Sequence, residues 1–451
     1  MLPSGKTGYI RKIIILVITK HCRMKINAEK ITRIRFSILI AIFISVVINY
    51  LDRSNIAIAA TMINKDLHLT PVQLGYIFSA FGWTYALLQI PGGLLADRFG
   101  PRIIYACCLV VWSLVTVIQG LANSFIMLFM LRLLIGVFEA PSYPLNSRIV
   151  TSWFPENERA SAIAVYTSGQ FIGLAFLAPV LTALQFYTGW RGLFIITGII
   201  GIIWGVFWYF FYHDPASHPK ISQAELQYID NGGGITNNMK NKQTVKQEFN
   251  SKDLAEVFRH KKLWGIYLGQ FALGASMWFF LTWFPTYLVT YKHIDFIKSG
   301  FLASAPFLAA FAGILFSGFL SDYMIRKGIS TAIARKTPVI TGLLLTVTII
   351  GANYTNSSFW IIVYMCIAFF GNGLASITWV FVSTLAPAHL IGLTGGVFNF
   401  IGGLSAVFIP VIIGYLARNG DFTSALVFIA VLGIAGAMCY IFLVGKVERI
   451  R

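Results

Sequence analysis

Four ionisable residues lie inside long apolar stretches of this 451-residue sequence. They are Asp52, Arg53, Arg132 and Glu139. A charged side chain in such surroundings costs about 2.5 to 3.5 kcal/mol on membrane-insertion scales, so it normally faces a wet cavity or an oppositely charged partner. Arg132 and Glu139 are seven residues apart, close to two helical turns, which predicts that both lie on one face of one helix. All four are therefore candidate functional residues.

The carboxyls and the guanidiniums in this set suit different chemistry. A desolvated carboxyl can bind and release a proton near physiological pH. An arginine keeps its charge and can bind a carboxylate through two parallel hydrogen bonds, so we expect Arg53 to bind an anionic group, with Tyr50 on the same helical face. Two alternatives stay open: Asp52 and Arg132 form a purely structural pair between helices, or Glu139 stays permanently neutral.

Charge counting links an anion to protons. With all four groups ionised the site is neutral, and a bound carboxylate would make it net negative in poorly hydrated surroundings. Protonation of one carboxyl restores neutrality, whereas protonation of both leaves one net positive charge. The count therefore permits one or two protons for each anion and does not choose between them.

The elements that position these residues are predicted to cross a membrane. The chain is 57% hydrophobic and 12% charged, with a mean hydropathy of +0.73, and its apolar runs are long enough to span about 30 Å of hydrocarbon. We predict an all-α integral membrane fold of twelve transmembrane helices in two parallel six-helix bundles around a central cavity. The predicted spans are 36–60, 73–95, 103–121, 126–147, 160–184, 192–212, 263–290, 298–320, 338–352, 359–381, 393–416 and 423–446.

The basic residues predict an orientation for this bundle. If the amino terminus is cytoplasmic, 28 of the 35 Lys and Arg residues fall on the cytoplasmic side of the predicted spans and five fall outside. Because cytoplasmic loops carry an excess of Lys and Arg, we expect both termini to be cytoplasmic. The remaining two basic residues, Arg53 and Arg132, lie within spans.

The long polar segment at 213–262 divides the spans six and six. It contains a glycine-rich run at 231–234, which we expect to be flexible. The predicted domains are a tail at 1–35, a bundle at 36–212, the linker at 213–262, a bundle at 263–446 and a tail at 447–451. Residues 1–23 resemble neither a span nor a complete signal peptide, and Met24 is an alternative start.

An internal repeat supports the division into halves. The sequence Gly-Leu-Leu-Ala-Asp-Arg-Phe-Gly at 93–100 is similar to the segment at 318–328, and Asp97 and Asp322 lie 225 residues apart. Residues 92–102 resemble the signature between helices two and three of the major facilitator superfamily. The resemblance implies that Asp97, Arg98, Arg102 and Asp322 form a cytoplasmic gate. The alternative is that these charges only solvate a turn.

A narrower resemblance covers roughly residues 40 to 446. The segments 49–55, 136–141 and 152–160 resemble the anion:cation symporter family of organic-acid carriers. The segments 166–171, 370–379 and 392–400 bring it close to bacterial D-galactonate:proton symporters within that family. The resemblance implies proton coupling through Asp52 and Glu139. It also implies a substrate site that includes Tyr85, Gln170, Gln270, Thr378 and Asn399.

Further substrate-site candidates come from helical spacing in the tenth predicted span. Asn372, Ser376 and Trp379 follow i, i+4, i+7 spacing and form a polar and aromatic stripe, suited to a hydroxyl-rich substrate. Small and polar residues are also common where membrane helices pack, so a packing seam is the alternative reading of this stripe.

These observations predict a secondary active transporter that imports a sugar-acid anion, D-galactonate before others, by proton symport with alternating access. A hexuronate or glucarate:proton symporter is the alternative, followed by an anion exchanger or a transporter-like sensor. The seven histidines fall in tails or predicted loops without metal-ligand spacing, and the five cysteines show no CxxC motif, which argues against an enzyme or a metal site. We expect a monomer in membrane lipid, with no cofactor, metal or nucleic acid.

Overall fold

The computed structural model describes residues 32–236, 251–387 and 390–450, without the side chains of 90, 93–98, 160, 251, 252 and 322. The regular elements in these ranges are helices. Ten of them are long and apolar enough to cross a membrane. One of the ten, Glu156–Phe211, bends at Gly189 (φ 70°) and supplies two spans, and Pro71–Phe99 adds another, which gives the twelve that the sequence predicts.

The spans follow the predicted order, with the six before the linker forming the N half and the six after it the C half. Span 1 is Ile34–Leu67, span 2 Pro71–Phe99, span 3 Pro101–Gln119, span 4 Phe125–Trp153, spans 5 and 6 Glu156–Phe211, span 7 Lys261–Tyr291, span 8 Phe296–Arg326, span 9 Thr331–Tyr354, span 10 Ser358–Leu385, span 11 Ile391–Leu416 and span 12 Thr423–Leu443.

Several spans are interrupted within the bundle. Span 4 consists of two helices, Phe125–Glu139 and Ser142–Trp153, which meet at Pro141, a residue without an N–H group for the helical ladder. Span 10 tightens into a 3₁₀ turn at Ser376–Thr378. Glu139 is the last residue of the first helix of span 4, so one of these irregularities lies beside a predicted site residue.

Helix packing repeats between the halves, as the sequence repeat predicts. In the N half, Gly136 of span 4 packs directly against Thr84 and the Phe81 carbonyl of span 2. In the C half, Gly373 of span 10 packs against the Ala310 carbonyl of span 8. Both contacts leave no room for a side chain and allow close approach of the backbones. The same pair of spans is therefore joined in the same way in each half.

The two halves meet at the end of the bundle opposite the linker, here called the far end; the other is the linker end. Span 2 packs against span 11, where Gly75 contacts the Pro410 carbonyl. Span 5 packs against span 8 through Thr182 and Gly300. Phe78 also meets Trp283 edge to face, with ring centroids 5.2 Å apart. The described part of the bundle is thus packed together at the far end.

The first part of the linker docks onto the N half. Arg35 at the start of span 1 binds Glu225 of the linker helix Gln223–Asn231 and Glu158 of span 5, each at 3.0 Å. The glycine-rich run, expected to be flexible, is held in place: the Gly232 carbonyl accepts a hydrogen bond from the Glu156 amide at 2.8 Å. Backbone pairing outweighs the intrinsic freedom of glycine here.

We predict that Gly136→Ala lowers the stability of the folded protein. The added methyl group would overlap Thr84 and the Phe81 carbonyl and push spans 2 and 4 apart, an overpacking that typically costs about 1 to 3 kcal/mol. Gly396→Ala is the control, because a methyl group there meets no atom within 4 Å. Melting in detergent should fall for the first variant alone. Equal melting temperatures for both would contradict the close approach.

Candidate functional site

An ion pair joins Arg53 of span 1 to Glu139 of span 4 inside the N half. Arg53 Nε and Nη2 lie 2.6 and 2.5 Å from Glu139 Oε1. Asn49, one turn before Arg53, donates to the same oxygen at 3.0 Å. Glu139 is fully buried, and its Oε2 has no hydrogen-bond partner among the described residues. The sequence indicates both residues as functional, but not that they bind each other.

Three aromatic rings surround the Arg53 guanidinium. Its Cζ lies 4.8 Å from the ring centroids of Tyr50 and Phe81 and 4.7 Å from that of Tyr85. A cation over an aromatic ring gains roughly 0.5 to 2 kcal/mol, more where water is excluded. The two tyrosines are predicted site residues, whereas Phe81 is not. The rings can therefore hold the guanidinium in place when its carboxylate partner is neutral.

Asp52 faces a different part of the N half from its neighbour Arg53. It accepts hydrogen bonds from the Trp112 indole at 3.0 Å and from Asn55 at 3.5 Å. Asn55 in turn donates to Thr197 of span 6 at 2.8 Å. One residue corresponds to about 100° of helical rotation, which explains why consecutive residues point to different neighbours. The two predicted proton-coupling carboxyls thus occupy separate surroundings.

Arg132 lies on the same buried face of span 4 as Glu139, as the seven-residue spacing predicts. Its Nε and Nη1 have no hydrogen-bond partner in the described ranges, and its Cζ lies 5.3 Å from the Phe81 ring centroid. The direct pair in this cluster is therefore Arg53 with Glu139, and among the described residues no hydrogen bond joins Arg132 to Asp52.

Gln170 of span 5 is held by two tyrosines. Its Oε1 accepts from the Tyr50 hydroxyl at 2.8 Å and from Tyr143 at 3.4 Å, which turns its amide nitrogen away from both. Tyr143 is a site residue that the sequence analysis missed. It lies four residues after Glu139, and that one-turn spacing is the signal that indicates it. Asn49, four residues before Arg53, was missed in the same way.

A hydrogen bond joins two of the predicted C-half residues, one on span 10 and one on span 7. Thr378 donates to Gln270 Oε1 at 2.8 Å. Ser376 is partly buried at the start of the 3₁₀ turn, and the Trp379 side chain is 51% exposed. These four residues lie around the turn and present hydroxyl, amide and indole groups.

Asn372 occupies different surroundings from Trp379. It is 5% exposed and donates to the Leu273 carbonyl of span 7 at 2.9 Å, so it packs one helix against another. The 3₁₀ turn between the two residues changes the rotation per residue and breaks the regular i, i+7 register. Asn372 therefore lies in a packing contact between helices, which is the alternative interpretation given above for this stripe.

A hydrogen bond between the halves involves the last predicted substrate residue. Asn399 of span 11 donates to Gln89 Oε1 of span 2 at 2.7 Å. Asn399 also lines an open cavity of about 430 Å³ with Trp379, between spans 10 and 11 towards the linker end. Gln89 was missed because it is a single amide in an apolar helix, without a motif or partner visible in the sequence.

The predicted gate is described only at Arg102. Its Nε donates to the Tyr209 carbonyl at 2.8 Å, and its Cζ lies 4.8 Å from the Tyr209 ring centroid, both within the N half. The side chains of Asp97, Arg98 and Asp322 lie outside the described part of the structure. The gate stays a prediction.

Comparisons with known proteins agree with this architecture. The model of the Major Facilitator Superfamily matches residues 42–410. The chain is 51% identical to a D-galactonate transporter of Escherichia coli O6:H1 over 94% of this chain and 99% of the relative. It is 40% identical to a protein named "Probable galactarate/D-glucarate transporter GarP" of Escherichia coli K12, over 92% and 96%.

Solved structures show the same fold. A crystal structure of a bacterial homologue of the human lysosomal transporter Spinster, in an inward-facing and occupied conformation, matches with a TM-score of 0.74 at 19% identity. The match covers 92% of this chain and 97% of that one. With twelve apolar spans, a family model over most of its length and relatives that are transporters rather than enzymes, the chain belongs to the Major Facilitator Superfamily as a multi-pass inner-membrane transporter.

Proposed function

We propose that this transporter imports a sugar-acid anion together with protons by alternating access, and that D-galactonate is its substrate. The relative that is 51% identical is named for D-galactonate, and its length is covered almost completely. The observation that carries the proton coupling is the direct bond between Arg53 and Glu139.

That bond couples the binding of a substrate anion at Arg53 to the binding of a proton at Glu139. While Glu139 is ionised it occupies the guanidinium that would bind a substrate carboxylate. Protonation of Glu139 removes its charge and weakens the pair, so Arg53 becomes available to the anion. The aromatic cage of Tyr50, Phe81 and Tyr85 keeps the guanidinium in position during this exchange.

Asp52 supplies a second coupling carboxyl in separate surroundings. It is 2% exposed and bound to the Trp112 indole, and it does not share the partner of Glu139. The charge count allows one proton or two for each anion, and the two carboxylates repel each other when both are ionised. Arg132, which is also buried, and Arg53 together balance the charges of the two carboxyls in this count.

The hydroxyl groups of the substrate would be bound mainly by neutral groups of both halves. Gln170 of the N half and the Gln270–Thr378 pair of the C half offer amide and hydroxyl groups. Ser376, Trp379 and Asn399 extend this set towards the open cavity. Such donors and acceptors suit a linear polyhydroxy chain, which carries one hydroxyl on most of its carbons.

The distribution of charged residues favours an aldonate, which has one carboxylate, over a dicarboxylate such as glucarate. In the described ranges the C-half candidates are uncharged, whereas the guanidiniums buried beside Glu139, Arg53 and Arg132, both belong to the N half. A second substrate carboxylate would therefore be desolvated without a positive partner in the C half. The 40% identity to the relative named for galactarate and D-glucarate keeps an aldarate or hexuronate as the alternative.

We also propose that both termini are cytoplasmic, from the excess of Lys and Arg on the linker side of the bundle. The halves then pack together on the outer side, at the far end, so the conformation is inward-facing in this proposal. Asp97, Arg98, Arg102 and Asp322 would hold the cytoplasmic side closed in the other state. The transporter acts as a monomer in this proposal.

Uptake into proteoliposomes tests the proposal. A proton gradient, acidic outside, should drive accumulation of labelled D-galactonate, and unlabelled D-galactonate should compete better than gluconate, glucarate or glucuronate. Stronger competition by glucarate would favour the dicarboxylate alternative. Transport only against a preloaded anion would indicate an exchanger, and binding without any transport would indicate a sensor.

We expect Arg53→Lys to weaken D-galactonate binding by at least tenfold although the charge is kept. An ammonium group cannot reproduce the two parallel hydrogen bonds of the guanidinium, nor its contact with the three rings. Isothermal titration measures the affinity directly. Arg191→Lys is the control at a half-exposed guanidinium away from the site and should bind normally. Wild-type affinity in Arg53→Lys would remove Arg53 from the substrate site.

Glu139→Gln should separate binding from coupling. Glutamine imitates the protonated carboxyl and leaves Arg53 available, so we expect the variant to bind the anion at least as well as the wild type and to support counterflow. Proton-driven accumulation should stop, because the side chain no longer cycles between charged and neutral forms.

Two further variants control this experiment. Glu156→Gln changes an exposed carboxylate near the linker and should accumulate substrate normally. Asp52→Asn should reduce accumulation without releasing Arg53, because Asp52 is not its partner. Accumulation by Glu139→Gln at the wild-type rate would show that Glu139 is not an obligatory coupling site.

A further inference from the structure

A second set of buried polar side chains lies between Glu139 and the linker end, inside the N half and apart from the open cavity beside Trp379. It comprises five residues of spans 1, 3 and 4 and is called the relay pocket here. They are Ser45, Asn49, Tyr105, Ser142 and Asn146. Each is at most 1% exposed, and the transport mechanism described so far uses Asn49 alone.

Several polar atoms of the relay pocket lack a hydrogen-bond partner among the described residues. Both ends of the Asn146 amide, the Tyr105 hydroxyl and Asn49 Oδ1 have no hydrogen-bond partner among the described residues. Glu139 Oε2, at the top of the pocket, has none either. Buried polar atoms in native proteins almost always have a partner, and ordered water supplies it where protein groups do not. Several such atoms together therefore indicate a site for water.

Helical spacing arranges these groups as a path. Ser45 and Asn49 are one turn apart on span 1, and Ser142 and Asn146 are one turn apart on span 4. Asn49 donates to both Glu139 and Ser142. One turn closer to the linker end, the Tyr105 hydroxyl faces Ser45 and Asn146. The polar groups thus lead away from Glu139 in steps of one helical turn.

The path continues towards solvent at the linker end. The indole N–H groups of Trp153 and Trp208 are buried without a partner in the described ranges. The Tyr212 hydroxyl faces Trp153 and donates to Asp214 at 3.0 Å. Asp214 is only partly buried. Indole groups donate but do not accept, so these two residues orient water and do not themselves pass a proton.

We propose that water in the relay pocket carries protons between Glu139 and the linker end, so that the proton leaves through the N half and not through the substrate cavity. This inference rests on the proton symport proposed above. The O–H bond at Glu139 Oε2 breaks as a water oxygen takes the proton, and each following oxygen passes one on. The proton that reaches bulk water at Asp214 balances the one that left Glu139.

The charged and titratable groups around Glu139 favour this direction. Arg132 faces it from its own helix, and Asp52, Arg53, Tyr85 and Tyr105 face it from other elements. The two guanidiniums repel a hydronium ion on the cavity side, where Arg53 binds Oε1. The relay pocket contains no cation among its five residues. A proton therefore meets the smaller electrostatic barrier through the pocket.

Two substitutions test the path without touching the ion pair. Tyr105→Phe removes the hydroxyl and keeps the ring that stacks on Trp208 at 4.5 Å. Asn146→Leu removes the unpartnered amide and keeps the branched shape of the side chain. The matched controls are Tyr440→Phe and Gln185→Leu, which remove a buried, unpartnered hydroxyl and amide elsewhere. Proton-driven accumulation and counterflow of D-galactonate are measured for each variant in proteoliposomes.

We expect proton-driven accumulation to fall at least fivefold in Tyr105→Phe and Asn146→Leu, while counterflow stays within twofold of the wild type and both controls stay normal. Wild-type accumulation in the two variants, with none in Glu139→Gln, would overturn the relay pocket and leave the symport proposal standing. Proton-driven accumulation in Glu139→Gln as well would remove Glu139 from the coupling and overturn the relay pocket with it. Absence of proton-driven accumulation in the wild type would overturn the symport proposal itself.

Water in the pocket is detected independently by radiolytic hydroxyl labelling of the wild-type protein. Tyr105 and Tyr267 are each at most 1% exposed, so bulk solvent reaches neither ring, and the Tyr267 hydroxyl already donates to the Val257 carbonyl at 3.4 Å. Bound water beside Tyr105 should make its labelling at least fivefold faster than that of Tyr267. Equal labelling rates would show a dry pocket and overturn the proposal even if a substitution had disturbed the fold.

Discussion

The bond between Arg53 and Glu139 is the interaction on which the rest of the site depends. Two charges withdrawn from water are tolerated only while each satisfies the other, and removing one partner of a buried pair typically costs about 3 to 5 kcal/mol. Asn49 donates a further hydrogen bond to Glu139, and three aromatic rings stabilise the Arg53 guanidinium. Neutralising Glu139 therefore leaves a positive charge that attracts an anion, which is the physical basis for the proposed coupling of protons to substrate.

The helices are built to keep this pair in place. Gly136 lets span 4 approach span 2 closely, and the break at Pro141 ends the first helix of span 4 at Glu139. The Ser142 hydroxyl, at the start of the next helix, donates to the Glu139 carbonyl. A glycine and a proline in one span thus determine where the carboxylate lies.

Periodicity and charge predicted the twelve spans, the division into halves and the shared face of Arg132 and Glu139, because these depend on local spacing and hydropathy. Contacts between spans were not predictable in the same way. The choice of Glu139 as partner of Arg53, and of Gln89 as partner of Asn399, depends on how distant helices rotate against each other. The 3₁₀ turn at Ser376–Thr378 shows the limit most clearly, since a local change of helical register separates Asn372 from Trp379.

The halves divide the chemistry unequally, and this inequality constrains how transport works. Among the described residues, the charges buried around the ion pair, Asp52, Arg53, Arg132 and Glu139, belong to the N half, whereas the C-half candidates offer neutral amides, hydroxyls and an indole. In the proposed mechanism, proton loading therefore changes the electrostatics of the N half only. The C half can respond only through the contacts between the halves. In the described conformation Gln89 and Asn399 make such a contact. A bound polyhydroxy anion that held Arg53 at its carboxylate and C-half amides at its hydroxyls would join the halves more strongly. The substrate itself would then transmit the protonation state of the N half to the C half.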